Sequence, residues 1–129
     1  MNNQILAQYH LEFSIIMMNG RKTGIVKTTA PEDQLSASLE DLFVEGYPDG
    51  FIGTILKNID RAFHTKDYDP TEDGCPTFAS VTIGKENCVI KSIRERVPLE
   101  IPTLDLKEIL TAWTEYFEIN DIQDMGVYY

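Results

Sequence analysis

The sequence predicts an α+β fold in which an antiparallel sheet built from hairpins carries about three helices. Two hairpin patterns lie at residues 9–29 and 78–93, and the clearest helical pattern follows them at 104–118. Alternating apolar residues indicate strands, whereas apolar residues spaced three or four apart indicate helices. The 129-residue length suits one domain, 1–129, and the chain contains no internal repeat or linker-like tract.

The first hairpin begins with a strand of alternating large side chains at residues 9–18. This strand runs into Asn19-Gly20, a dipeptide that tolerates the positive φ angles of a tight turn, and a second strand follows at 24–29. A helix over residues 3–18 remains an alternative, because several apolar residues of that segment also fit one helical face.

Two helices are predicted in the second quarter of the chain. Glu32 and Asp33 stand where a helix start favours acids, and leucines at three- and four-residue spacing then predict a helix that ends near Gly46. Asp49 can cap a second helix, because a continuous apolar stripe follows it. A hairpin of short strands over 42–56 is the alternative.

The second hairpin is predicted with a defined register. Strand-like runs at 78–83 and 87–93 flank a turn at 84–86. In the register that this turn sets, one face of the hairpin is mostly apolar and the other is partly covered. The apolar face consists of Ala79, Val81, Ile83, Cys88, Ile90 and Ser92.

The last helix is predicted from about Leu104 to about Glu118. Asp105 followed by Glu108 is similar to a capping box, which satisfies the first backbone N–H groups of a helix. The tail is expected to end in a short strand at 126–129 or to fray. The apolar side of the helix, expected to pack onto the second hairpin, is lined by Leu106, Ile109, Leu110, Trp113, Tyr116 and Phe117.

Few residues suit catalysis or metal binding. Neither His10 nor His64 lies in a spaced ligand motif, so both are interpreted as structural or surface histidines. Cys75 and Cys88 form no C-x-x-C pair, and extending the hairpin register places Cys75 opposite Arg96, which predicts free thiols. We therefore expect no catalytic residue, cofactor or metal site, and we do not expect an enzyme.

Residues 64–76 lack periodicity and are rich in turn formers, which predicts a long exposed loop. Its acids suggest a calcium loop, because Ca²⁺ prefers clustered oxygen ligands. Counted from Asp69, a glycine falls at the sixth position, but the twelfth is Ser80 instead of the bidentate Glu that such loops need. The sequence therefore favours a solvated acidic loop.

Charge placement is the strongest functional feature of the sequence. The chain has 21 acidic and 11 basic residues and a net charge of -10, which disfavours nucleic acid and anionic membranes as partners. Residues 32–49 contain six acids and no base, and 66–73 contain four acids and one lysine. Such segments either raise solubility or face a positive partner. The predicted partner-binding residues are Glu40, Asp41, Glu45, Asp49, Asp67, Tyr68, Asp69, Glu72 and Asp73.

Targeting features are not recognised in the chain. The first twenty residues contain no Lys or Arg, and Glu12 interrupts the apolar stretch that a signal peptide would need. No apolar run approaches the length of a membrane span. A cytoplasmic location is expected.

An acidic chain without a catalytic constellation, with a hairpin at 80–83 and 89–94 and a Leu/Trp-rich helix at 102–113, resembles a known group of proteins. These are the small immunity proteins that bacteria encode beside polymorphic or contact-dependent growth inhibition toxins. The resemblance covers under half of the chain and implies that the protein binds a cognate toxin domain, such as a basic nuclease, and occludes its active site with an acidic surface.

Two other functions are compatible with the sequence. An acidic protein that mimics nucleic acid against a host defence enzyme would follow the same charge logic. A small ligand-binding or enzymatic domain would have to use His10, His64 and the acidic loop at 67–73, which would require these residues to converge in a pocket.

Overall fold

The computed structural model describes residues 2–29, 34–44, 46–75, 79–93 and 97–126, and for residues 34–37 and 71–75 it describes the backbone alone. The predicted α+β class is confirmed. Within these ranges the helices are α1 (Asn3–Gln8), α2 (Gln34–Leu42), α3 (Phe51–His64) and α4 (Thr103–Ile119). The strands are β1 (Leu11–Met18), β2 (Arg21–Thr28), β3 (Thr71–Cys75), β4 (Ala79–Ile83), β5 (Asn87–Ser92), β6 (Leu99–Pro102) and β7 (Asp124–Met125).

The strands form two sheets that share one hydrophobic core. Sheet one has the order β1-β2-β7, in which β7 runs parallel to β2. Sheet two has the order β3-β4-β5-β6 and is antiparallel throughout. Helix α2 contacts strands of both sheets, and α4 contacts β5, β6, α1 and α3. The buried core draws apolar side chains from both sheets and all four helices.

The first hairpin is confirmed, with Asn19 and Gly20 at φ angles of 52° and 77° in its turn. Its first strand begins at Leu11 and not at residue 9, because the short helix α1 precedes it. Asn2 caps this helix through its side-chain oxygen, and His10 takes a φ of 55° that ends the helical path. The alternative of one helix across 3–18 is therefore wrong beyond residue 8, because only Asn3–Gln8 are helical and β1 follows.

Both helices of the second quarter are present, although α2 ends at Leu42 and not near Gly46, and the alternative hairpin over 42–56 is wrong. The predicted start of α2 at Glu32 and Asp33 lies outside the described residues. Asp49 does not cap α3, because the capping position is Gly50 and no side chain caps the helix there. The apolar stripe of α3 is buried as its spacing predicts.

The predicted loop at 64–76 is wrong in its second half. Helix α3 extends through His64, and Thr71–Cys75 form β3, which pairs with β4. The sequence of β3, with Asp73 and Gly74, has low intrinsic strand propensity. Its strand conformation therefore depends on the hydrogen bonds that β4 offers, which no local pattern reveals.

The second hairpin has the predicted register, with Val81 opposite Ile90 and Ile83 opposite Cys88. All six residues of its predicted apolar face are buried. The opposite face is partly covered near Thr82 and Val89, whereas Ile93 is 70% exposed. Residue 78 lies outside the described residues.

Helix α4 begins at Thr103, and the predicted capping box is wrong because no side chain caps its start. The turn of the second hairpin anchors this end instead. The Thr103 backbone N–H donates to the Glu86 carbonyl at 2.8 Å, and the Thr103 hydroxyl donates to the Gly84 carbonyl at 2.7 Å. Asp105, inside the first turn, accepts a hydrogen bond from the Tyr9 hydroxyl.

The tail forms a strand at Asp124–Met125, ahead of the predicted strand at 126–129, and the Gly126 N–H donates to the Gly24 carbonyl at 2.8 Å. The remaining residues of the predicted strand, 127–129, lie outside the described residues. Pairing with β2 thus returns the end of the chain to sheet one.

Trp113 makes contacts beyond the second hairpin, onto which it was predicted to pack. Its ring meets Phe13 of β1 edge-on at 4.9 Å and Phe43 at 5.8 Å, and its indole N–H donates to the Gly46 carbonyl at 2.8 Å. A methyl group at Gly24 of β2 would lie 2.7 Å from the ring, so only glycine fits beneath it. One fully buried side chain thus joins α4, sheet one and the α2–α3 connection.

We expect Trp113→Ala to destabilise the protein by about 3–5 kcal/mol, because it empties a large aromatic site and leaves the Gly46 carbonyl without its donor. Denaturant unfolding measures this change. An unchanged midpoint and slope would contradict the packing described for Trp113.

Candidate functional site

The predicted acidic residues whose side chains are described do not form one surface. Glu40 and Asp41 are consecutive residues of α2, so their side chains leave the helix in directions about 100° apart. The Thr28 backbone N–H of sheet one donates to Glu40 Oε1 at 2.6 Å, whereas the Ser92 hydroxyl of sheet two donates to Asp41, which is 4% exposed. These two acids therefore connect the sheets through α2. Asp41 is buried, whereas Glu40 is half-buried and its contact with a partner stays a prediction.

Asp49 lines a cleft of about 370 Å³ between the α2–α3 connection and the end of α4. Tyr47 and Phe117, both half-buried, stack edge-on in its wall with centroids 6.3 Å apart. The second carboxylate of the cleft is the exposed Glu118. The described residues that line the cleft include no base: Tyr47, Pro48, Asp49, Thr114, Phe117, Glu118, Ile122 and Gln123.

A hydrogen-bonded network fixes Tyr47 in the wall of this cleft. The Tyr47 hydroxyl donates to Asp124 Oδ1 at 3.0 Å, and Arg21 Nε donates to Asp124 Oδ2 at 2.6 Å. Burial, and then the bond to Asp124, raise the pKa of Tyr47 above its usual value. The Arg21 hydrogen bond, followed by that of Tyr47, lowers the pKa of Asp124. The cleft wall is therefore held in place before any ligand binds.

The second predicted acidic segment, around Asp67 and Asp69, lies at the other end of α3. Fourteen helical residues separate the two ends by about 21 Å. Asp67 and Asp69 are exposed, and Tyr68 is half-buried against the core. Two bases stand beside this loop, since Lys66 is its neighbour and Lys85 Nζ donates to the Thr65 carbonyl at 3.2 Å.

Three predicted residues cannot be placed in a site. Glu45 lies outside the described residues, and only the backbone is described for Glu72 and Asp73 in β3. For these residues, partner contact stays a prediction.

The partner-binding residues predicted from the sequence do not include an acidic stripe on α4. Glu108, Glu115 and Glu118 lie on the side of the helix opposite Trp113, between Leu104 and Ile119, which are 55% and 77% exposed. Helical spacing could have identified these acids, because they recur seven and three residues apart. The outer stripe of α4 consists of Leu104, Glu108, Thr111, Glu115, Glu118 and Ile119, and at Glu118 it reaches the cleft.

The histidines do not converge in a pocket. His10 is exposed, and the His64 side chain is 75% exposed with Nδ1 2.8 Å from the Asp60 carbonyl. Among the residues with described side chains, no three His, Cys, Asp or Glu residues are grouped as metal ligands. None of the described helices combines the length and apolar character needed to cross a membrane.

The cysteines lie on strands that flank β4. Cys75 stands opposite Ala79, not opposite Arg96 as predicted, and Cys88 stands opposite Ile83. These positions lie at the two ends of β4, about 13 Å apart along the strand, which is too far for a disulfide. The Cys88 thiol is free and buried, and burial raises its pKa.

Comparison of the chain with models of known protein families, with curated proteins and with solved structures finds no match.

We expect Asp41→Ala to destabilise the protein by about 1–3 kcal/mol, because it leaves the buried Ser92 hydroxyl without its acceptor. The matched control Asp49→Ala removes the same charge from an exposed position and should change the free energy of unfolding by about 0.5 kcal/mol or less. Denaturant titrations compare the two variants. Equal effects would contradict the division of the acids into internal and surface groups.

We expect the Arg21–Asp124 contact to stabilise the protein above the ordinary pKa of an aspartate and to weaken as the pH falls, because the folded pKa of Asp124 is lowered. The stability difference between the wild type and Asp124→Asn should therefore be present at neutral pH and shrink below about pH 4. Unfolding at several pH values measures it, with Asp121→Asn as the control. A difference that stays constant down to acid unfolding would contradict this assignment.

Proposed function

We propose that the protein binds and neutralises a basic protein partner, such as the nuclease domain of a bacterial toxin, in the manner of an immunity protein. The observation that supports this function is the cleft that Asp49 and Glu118 line together with the aromatic pair Tyr47 and Phe117, without a basic residue among its described lining. The resemblance in sequence pattern points in the same direction.

The composition of the cleft suits a lysine or arginine side chain of the partner. Such side chains bury their aliphatic stems on apolar surface and keep the charged group in a polar environment. In this cleft the stem would lie against Phe117, and the cation would approach Asp49 or Glu118. An arginine can in addition stack on an aromatic ring and bind a carboxylate through two N–H groups.

The cleft fits this role better than the loop that contains Asp67 and Asp69. Bases stand beside both sites: Lys66 and Lys85 lie beside the loop, and Arg21 and Lys22 bind Asp124 and the Asn120 carbonyl beside the cleft. The cleft differs in its aromatic wall and in its continuation into the outer stripe of α4, which contributes three acids, with Lys107 at the flank of the stripe. Acids arranged along one face accelerate the encounter with a positive partner, and this effect weakens as salt concentration rises.

Neutralisation would follow from which partner residues are bound. Nuclease domains hold phosphate groups with lysines and arginines, so a protein that occupies these side chains excludes the substrate. The fixed wall of the cleft limits the ordering cost of binding, because Tyr47 already has its hydrogen-bond partners.

We expect the double variant Asp49→Asn/Glu118→Gln to associate more slowly with its partner, with a flatter salt dependence, because it removes the two charges of the cleft. The partner is first captured from native host lysate on immobilised full-length protein and identified by mass spectrometry. Association rates at several salt concentrations, and inhibition of the partner's activity, are then measured.

The matched control is Asp67→Asn/Asp69→Asn, which changes the net charge by the same amount at the other end of α3. Slower association for the cleft variant alone supports the cleft. Equal slowing by both variants would show that net charge alone determines the association rate. Slowing by the loop variant alone would show that the partner binds at the loop of Asp67 and Asp69. Absence of inhibition by the wild type would refute the neutralising function.

A further inference from the structure

The outer edge of β1 is not paired with any strand in the described part of the chain. Sheet one has the order β1-β2-β7, so the eight residues of β1 present one edge, about 26 Å long. In an antiparallel pair, alternate residues direct their N–H and C=O groups away from the partner strand. About half of the β1 residues therefore offer backbone donors and acceptors at this edge.

The other described sheet edges have features that oppose strand addition, and β1 does not. Strand β3 includes Glu72 and Asp73, β6 has four residues with Glu100 and a terminal proline, and β7 has two residues. Charge, proline and short length are the usual means of blocking a sheet edge. Strand β1 is long, pairs with β2 in continuous register without a bulge, and has Glu12 as its one charged residue.

The end of β1 also exposes apolar side chains. Ile16, Met17 and Met18 are 41%, 65% and 49% exposed. Met17 lies on the same face of β1 as Phe13 and Ile15, since strand side chains alternate. Phe13 and Ile15 are half-buried and pack against the core, so this row is continuous with the interior.

We propose that β1 pairs antiparallel with β1 of a second copy of this chain, across a two-fold axis at Ile15. In this register Met17 of each copy lies opposite Phe13 of the other, and the two Ile15 residues face each other. The exposed Met17 then covers a half-buried aromatic ring, a contact that sulfur and aromatic groups favour. The two sheets would become one six-stranded sheet.

The β1 edge is apolar and nearly neutral, which suits the identical strand of a second copy better than it suits a basic strand. A chain of net charge -10 repels itself at most approaches, but this register keeps the carboxylates of the two β1 strands apart. Glu12 already faces Lys27 at 3.4 Å, and the pairing separates the two Glu12 residues by about 20 Å, which is beyond the screening length of about 8 Å. The pairing also leaves the proposed partner cleft open, because that cleft lies near β7 at the opposite edge of sheet one.

Sedimentation of the full-length protein over a wide concentration range tests this proposal. A single pair of strands is a small interface, so we expect a reversible dimer with a dissociation constant on the order of micromolar. Met17→Lys should raise this constant at least about tenfold, because it buries a charge opposite Phe13. Met17 is largely exposed, and a thermal unfolding curve shows that the variant is folded.

Met18→Lys is the matched control, because it adds the same charge one residue away. In the proposed register it places a lysine opposite Glu12 of the other copy, so the dimer should be retained or tightened. A protein that remains monomeric at about 0.5 mM, far above a micromolar dissociation constant, would overturn the proposal.

Equal weakening by the two lysine variants would also overturn it. A third outcome would also overturn it: the wild type is monomeric, and the Met17→Lys variant no longer binds the captured partner. The β1 edge would then bind a strand of that partner. The cleft variants do not alter β1, so failure of the proposed function and failure of the dimer are distinguishable.

Discussion

The fit of the Trp113 indole against the backbone of Gly24 is the constraint on which the rest of the structure depends. A side chain at position 24 would occupy the space of the ring, so sheet one and α4 approach only because β2 has a glycine there. The indole N–H then binds the Gly46 carbonyl, which holds the segment leading to Tyr47. The Trp113 side chain thus determines both how α4 packs against sheet one and where the Tyr47 wall of the cleft lies.

This arrangement separates two roles among the acids. Glu40 and Asp41 connect the sheets through hydrogen bonds and contribute to the fold, although their charge suggested a binding surface. Asp49 and Glu118 both line the cleft that contains Tyr47 and Phe117, where a carboxylate can contribute to recognition. Net charge alone cannot distinguish these roles, because it does not depend on which carboxylates are buried.

Sheet one would serve two associations at its two edges. Near β7, the Tyr47–Asp124–Arg21 network shapes the proposed partner cleft. At β1, the edge whose one charged residue is Glu12 would pair with a second copy. A dimer would present two acidic clefts, one near each β7 edge of a six-stranded sheet.

The sequence by itself determined the elements whose patterns are local. Alternation and the Asn19-Gly20 turn were enough for the first hairpin, and the turn after Ile83 set the register of the second. The spacing of apolar residues was enough for α3 and α4, because one continuous face of each is buried.

Only the tertiary structure decided the features that depend on distant residues. Strand β3 forms because β4 supplies its hydrogen bonds. Helix α4 starts at Thr103 because this residue is hydrogen-bonded to the turn of the second hairpin. The candidate site was predictable in part: Asp49 was identified, but its pairing with Glu118 arises from chain segments about seventy residues apart. Periodicity reports which face of an element is buried, whereas the partner of that face depends on how the elements pack.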